Sequence, residues 1–278
     1  MKSAPFSYER PTDMRGALAL MAQPNASVKI MAGGQSLGPM LNLRLAAPDM
    51  IVDITALSDL KRADTDNGDL VLGACVTHAD IEDGRVADVT RGAMQRVASA
   101  IAYRAVRNRG TIGGSLSHAD PSADWVSAFA ALGAVLTLRR ATATRQIAMA
   151  DFVRGALETS LHPDEMIESI RIPALSATAR WGYVKSCRKP GEFAHAIGAV
   201  LIDPEAATAR VVIGAIEAAP IMLADASELF GGKITGEFKQ RFDARVADRL
   251  LAAAGIADAA DRQIHVAILR RAVAEAAA

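Results

Sequence analysis

Two short segments carry the residue types best suited to chemistry. Ala32-Gly33-Gly34-Gln35-Ser36 follows a strand-like run, and Thr111-Ile112-Gly113-Gly114-Ser115 follows a helix-like one. Paired glycines expose successive backbone N–H groups and let a phosphate approach closely. Hydroxyls at Ser36, Thr111 and Ser115 add donors. A pyrophosphate presents two phosphates, so two such turns facing each other suit a dinucleotide. Neither segment matches GxGxxG, and neither ends in the Gly-Lys-Ser/Thr of a Walker loop. That weighs against a conventional Rossmann NAD site. Taken singly, each glycine pair reads equally well as a tight turn with no ligand.

The elements that must position these segments follow from spacing. Thr12 is the expected N-cap of a helix over Met14–Met21. Val28–Met31 reads as a strand running into the first glycine segment, Met40–Leu45 as a short helix and Met50–Ile54 as a strand. Strand, helix, strand with short joints is the βαβ pattern of a parallel sheet, with apolar strands covered on both faces. Asn67-Gly68 marks a hairpin ending in the strand Leu70–Ala74, and Thr77 caps a helix from His78. One helix is expected from Thr90 to Val106, ending before Asn108-Arg109-Gly110 and the second segment. Trp125–Leu132 reads as a helix, and Ala134–Leu138, Thr144–Ile147 and Ile167–Ile172 as strands, with Arg139-Arg140 in a joint. Three strands follow at 180–185, 194–202 and 209–215, and then helices at Ser227–Phe230, Glu237–Leu251 and Asp261–Ala277. The predicted class is α+β. A small parallel βαβ unit (1–55) and a larger mixed or antiparallel sheet (56–176) precede a three-stranded sheet with a helical bundle (177–278).

Composition narrows the function. The 278 residues carry 31 basic and 31 acidic side chains, so bulk charge gives no reason to bind nucleic acid or an acidic membrane. Aromatics at 4% argue against a base-stacking platform. Cys75 and Cys187 form no CxxC pair, fewer than the four thiolates an iron–sulfur cluster normally takes. The five histidines lack HxxxH or HExxH spacing, so no metal site is expected. The apolar stretch from Trp125 to Leu138 is shorter than the about 20 residues of a membrane span. The N-terminal MKSAPFSYERPTD lacks the apolar region of a signal peptide, and a cytoplasmic location is the expectation.

Three longer stretches carry a family likeness: KIMAGGQSLGPMLNLRLAAPDMIVDI, VRNRGTIGGSLSHADPSADW and, more loosely, YVKSCRKPGEFA. With its length and three-part layout, the chain resembles the FAD-binding medium subunit of the molybdenum hydroxylases. That group includes the flavoprotein subunit of aerobic carbon monoxide dehydrogenase and the flavin domain of xanthine dehydrogenase. The resemblance implies that Ile30, Met31, Ala32, Gly33, Gly34, Gln35, Ser36 and Leu37 wrap the FAD diphosphate, the Met31 side chain packing in the core. It implies a second diphosphate segment at Thr111, Ile112, Gly113, Gly114 and Ser115, and an acidic FAD contact at Asp124. It places Ile101, Ile167 and Lys185 near the cofactor and Phe193 where an aromatic ring shields the isoalloxazine. The chain departs from the family at Gln35, commonly His, and at Ser115, commonly Asn; both substitutes still hydrogen-bond. Phe193 lacks the hydroxyl of the Tyr often found there.

The function implied is electron transfer. FAD here would take electrons from the two [2Fe–2S] clusters of a small partner subunit and pass them to an external acceptor. A large subunit with a molybdenum cofactor would hydroxylate the substrate, in a dimer of heterotrimers. No residue of this chain would act on that substrate. Two other readings are a free-standing FAD oxidase or reductase and a scaffold without flavin. His118 and Asp120 read as ordering the second loop, and Cys187 as an inert strand residue. Arg104, Arg107 and Arg109 fit three readings: neutralising a diphosphate, meeting a partner chain, or a solvated helix end.

Overall fold

The computed structural model describes residues 2–234 and 238–278. The first unit runs β1 (Ser7–Glu9), α1 (Met14–Met21), β2 (Val28–Met31), α2 (Leu37–Asn42) and β3 (Met50–Asp53). Its three strands are parallel in the order β1-β3-β2, so the βαβ reading holds, and an edge strand near the N-terminus joins it. Burial is concentrated on the central strand β3. Asp13, not Thr12, caps α1: its carboxylate accepts from the Gly16 N–H at 2.7 Å. The short helix begins at Leu37, earlier than expected. Pro39 falls in its first turn, where the missing N–H costs no helix bond, and Arg44 turns left-handed (φ 57°) beyond its end.

The second unit contains β4 (Ala63–Asp66), β5 (Asp69–Gly73), α3 (His78–Glu82), α4 (Ala93–Ser99), α5 (Arg104–Arg107), α6 (Ile112–His118) and α7 (Asp124–Leu132). It continues with β6 (Val135–Arg140), β7 (Ala143–Ala148), α8 (Met149–Phe152), β8 (Val153–Gly155), β9 (Glu158–Thr159) and β10 (Met166–Ile172). Its main sheet, β4-β5-β10-β6-β7, is antiparallel throughout. Asn67 and Gly68 both have positive φ (53° and 91°), the geometry of a tight two-residue hairpin turn. Arg139 and Arg140 continue β6, and Arg139 bonds Glu168 across the sheet. The single helix expected over Thr90–Val106 is two. The chain breaks between α4 and α5, where Ala102 has φ 41°, and Arg107 secures that break by donating to the carbonyls of Ile101 and Ala102.

The third unit holds β11 (Arg180–Ser186), β12 (Ala196–Asp203), β13 (Thr208–Gly214), β14 (Ile221–Leu223), α9 (Ala244–Ala253) and α10 (Ala259–Ala276). The expected three-stranded sheet has a fourth strand, the three-residue β14, too short to show a period of two. Ser227–Phe230 is a 3₁₀ turn. Glu237, the expected start of the next helix, lies outside the described residues, and α9 begins after Asp243, which caps the Arg245 N–H. Helix α10 lies on β11 and β12. Gly182 permits it: a Cβ there would sit 1.9 Å from the Ala272 carbonyl oxygen. The α+β class and its mixture of one parallel and several antiparallel sheets stand as expected.

Every residue of α7 is buried. The helix packs on β12 and β13, so the third unit shares a core with the second. Trp125, Phe129, Leu132, Ala199, Leu201 and Val212 belong to that one apolar cluster.

Candidate functional site

The first glycine segment leaves the carboxyl end of β2, the usual side for a ligand on a parallel sheet. Gly34 takes φ 71°, a conformation side chains disfavour. Among the described residues, none accepts from the N–H groups of Gly33, Gly34, Gln35 or Ser36. Gln35 donates its side-chain amide to the Gly33 carbonyl at 3.0 Å, which closes the turn on itself. Ile30, Met31 and Ala32 are half-buried beneath it, and Leu37 opens α2.

The second segment is built differently from the turn expected. Thr111 is the N-cap of α6, its hydroxyl oxygen accepting from the Gly114 N–H at 3.1 Å. Ile112 donates to the Val76 carbonyl at 3.1 Å, Gly113 to Ala74 at 2.9 Å and Ser115 to Thr111 at 3.0 Å. Its backbone donors at 112–115 are therefore engaged within the chain. Gly113 is a packing glycine, since a Cβ there would meet the Ala74 Cβ at 2.5 Å. Gly114 is exposed, and its Cβ position lies 4.0 Å from the Ala32 Cβ. A Cβ on Gly33 would lie 1.9 Å from the Arg109 carbonyl oxygen. The two segments thus lie against each other.

Asp124 begins α7, and its carboxylate is buried. Its Oδ1 accepts from the Tyr183 hydroxyl at 2.8 Å, and Lys185 Nζ stands 2.9 Å from both carboxylate oxygens. Lys185 also donates to the Ala100 carbonyl at 2.9 Å. Burial pushes the Asp124 carboxyl up, against the pull of Lys185 and Tyr183. Burial and the neighbouring carboxylate hold the Tyr183 phenol well above its usual range. The structure therefore joins Asp124 with Lys185 and sets Ile101 one residue from the Ala100 carbonyl that Lys185 also bonds. Tyr183 was missed in the sequence, although it precedes Lys185 by two on a strand and so shares its face.

Ile167 is buried in the core, with its side chain in the cluster around Trp125. Its neighbour Glu168 accepts the Ala74 N–H at 3.0 Å, and Ala74 accepts that of Gly113. Phe193 is 69% exposed, in the loop between β11 and β12. That loop rests on Tyr103, whose ring lies 2.8 Å from the Cβ position of Gly191.

Surrounding charges are paired off. Arg104 bonds Glu82 and Asp83, and Arg107 bonds Glu82 through two nitrogens. Arg109 makes no ion pair among the described residues, so of the three it alone keeps a free charge near the segments. Asp120 accepts the Ser122 N–H at 2.8 Å, the expected loop-ordering contact. His78 is buried: its backbone N–H donates to the Gly110 carbonyl at 2.9 Å, and its Nδ1 accepts from the Trp125 indole at 3.0 Å. Burial pushes its imidazole down to about 4. Burial likewise pushes the Cys75 thiol up to about 12, so it is no nucleophile near neutral pH. Among the described residues no group of His, Cys, Asp and Glu is placed to hold a metal, and no helix is long and apolar enough to cross a membrane.

This geometry has counterparts in known proteins. Caffeine dehydrogenase subunit beta of Pseudomonas sp. (strain CBB1) is 34% identical over 80% of this chain and 76% of its own length. The carbon monoxide dehydrogenase medium chain of Hydrogenophaga pseudoflava is 32% identical over 84% of this chain and 83% of its own. A solved carbon monoxide dehydrogenase from Hydrogenophaga pseudoflava, lacking the Mo-pyranopterin moiety of the molybdenum cofactor, contains a chain that superposes with a TM-score of 0.87 at 29% identity. That superposition covers 99% of this chain and 98% of the other. Residues 4–175, which hold both glycine segments and Asp124, match the family described as FAD binding domain in molybdopterin dehydrogenase. The chain belongs to that family, as an FAD subunit of molybdenum hydroxylase-type oxidoreductases.

Proposed function

We propose that this chain is the electron-transfer subunit of a heterotrimeric molybdenum hydroxylase, holding FAD between its first two units. The observation that carries this reading is the meeting of the two glycine segments, Gly33 packed against the Arg109 carbonyl, at the carboxyl end of β2. The residues fit an FAD diphosphate. Four backbone donors at Gly33–Ser36 point to no acceptor in the described chain, in a turn with no room for a Cβ at Gly33 and a positive φ at Gly34. The first segment would hold the diphosphate through those N–H groups. The second would offer the hydroxyls of Thr111 and Ser115 and the bare face of Gly114, because its own N–H groups are engaged. Asp124 and Lys185 would fix the far end of the cofactor, with Ile101 as an apolar wall and Phe193 as a shield over the ring; Ile167, its side chain in the core, would meet it only through its backbone.

When bound, the flavin supplies one- and two-electron chemistry that can link iron–sulfur clusters in a partner to an external acceptor. The chain's own residues bind and orient it, and none acts as acid or base on an organic substrate. We assign the [2Fe–2S] clusters to a small partner subunit and the molybdenum cofactor and substrate pocket to a large one, in a dimer of heterotrimers in the cytoplasm. The three sheets are read as units over 1–55, 56–176 and 177–278.

The test is a visible absorption spectrum of the purified chain after adding FAD and removing the excess. Flavin bands that stay with the protein are expected. If none stay, with the chain alone or in a co-expressed complex, the reading fails.

A further inference from the structure

Three residues alternate along one face of β11: Trp181, Tyr183 and Lys185. Trp181 stacks on Tyr183, with ring centroids 6.2 Å apart and planes within 6°. The strand is pinned by an unbroken ladder to β12 from Arg180 to Ser186. Tyr183 is held a second time through its backbone, its N–H donating to Glu275 of α10, which is in turn bonded to Arg96 of α4. The Tyr183 ring is thus fixed by elements of two units before its hydroxyl is considered.

That hydroxyl has one partner group, Asp124, and reaches its Oδ1 at 2.8 Å. Lys185 Nζ stands 2.9 Å from both carboxylate oxygens. An ammonium has three N–H donors. Lys185 spends one on Asp124 and one on the Ala100 carbonyl. Tetrahedral geometry then fixes the direction of the third. That direction depends on the orientation of the carboxylate, which the Tyr183 hydroxyl helps to hold.

We propose that Tyr183 is a positioning residue of the flavin site: by holding the Asp124 carboxylate it fixes where the Lys185 ammonium places its charge and its remaining N–H. The inference rests on the reading above that Lys185 lies beside the flavin. A fixed positive charge there favours added electron density on the ring, so it raises the potential of the bound cofactor. Tyr183 would act on that potential only through Lys185.

The experiment uses the full chain loaded with FAD, or the co-expressed complex if that is what retains it. Tyr183→Phe keeps the ring and its stacking on Trp181 and removes only the hydroxyl. It is compared with Lys185→Met and with the double variant, each read for flavin retained and for the flavin midpoint potential. Tyr183→Phe is expected to keep its flavin and to lower the potential. Lys185→Met is expected to lower it further, and the double variant to match Lys185→Met alone, the signature of one residue acting through another. The inference is overturned if Tyr183→Phe has the parent's potential while Lys185→Met does not. It is equally overturned if the hydroxyl's full effect persists in the Lys185→Met background. If Lys185→Met itself leaves the potential unchanged in a chain that holds FAD, this inference falls and the diphosphate segments stand. If no chain or complex retains FAD, the site reading falls and takes this inference with it.

Discussion

The alpha carbon of Gly33 faces the carbonyl of Arg109 so closely that a Cβ would sit 1.9 Å from its oxygen. The first glycine segment therefore rests on the residue pair that leads into the second, and the two cannot shift independently.

The glycines should separate into two kinds. At Gly33 and Gly113 an added methyl meets backbone or Ala74, so Gly33→Ala and Gly113→Ala should each lose about 1–3 kcal/mol of stability together with flavin. Gly114 faces outward and meets only the Thr111 hydroxyl at 2.9 Å. Gly114→Ala should cost about 1 kcal/mol, the scale of a strained N-cap, yet still lower flavin retention. Chemical denaturation and flavin content of the three variants check this. Full flavin content in all of them would remove both segments from the site.

Arg107 clamps the break that carries Ile101. Its guanidinium bonds Glu82 through two nitrogens and the carbonyls of Ile101 and Ala102 through a third. Lysine cannot reproduce that fork. Arg107→Lys should therefore loosen residues 100–102 and weaken FAD binding by about tenfold, the scale of one charge-assisted contact. Equal affinity in a flavin titration would show that the clamp serves folding alone.

Acid should act through His78. Its folded imidazole titrates near 4 because burial disfavours the charged form. An unfolded histidine titrates near about 6.5, so the unfolded chain binds the extra proton between those values. Stability is then unaffected above pH 6.5 and is lost as pH falls towards 4, by about 3 kcal/mol in all. His78→Gln keeps an acceptor for the Trp125 indole and removes the titration. Denaturation curves from pH 7 to pH 4 should fall less steeply for the variant, and parallel curves would count against this origin.

Phe193 should matter to the cofactor and not to the fold. At 69% exposure its truncation removes little packing, so Phe193→Ala should change stability by less than about 0.5 kcal/mol. The visible spectrum or potential of bound flavin should shift. A lowered melting temperature with an unaltered flavin spectrum would reverse the assignment.

Local signals carried most of the fold. The Asn67-Gly68 turn, the Thr77 cap and the apolar strands around residue 200 are written in neighbouring residues, and each stands in the structure. The glycine pairs and Asp124 were legible through the resemblance, whereas the form of the second segment was not. Read as a turn, it is the start of a helix, and the signal was present in Thr111 followed by Ile112. Tyr183 was within reach as well, two residues before a named lysine. The Arg107–Glu82 pair spans 25 residues and two helices, so no pattern along the chain announces it. The break at Ala102 was hidden because apolar spacing continues up to it, while Arg107, five residues on, holds it open.

Helix α7 presents Asp124 to Tyr183 and Lys185 at one end and buries all its remaining length, packed on β12 and β13. The family match ends at residue 175, but the core does not, because Trp181, Ala199, Leu201 and Val212 lie in the same cluster as Trp125 and Phe129. A fragment cut at that border would open this helix to water and lose the lysine facing its first residue. Chimeras that exchange the last hundred or so residues between relatives must therefore carry the matching face of α7 with them. The portable piece of this protein is the helix together with the sheet that covers it.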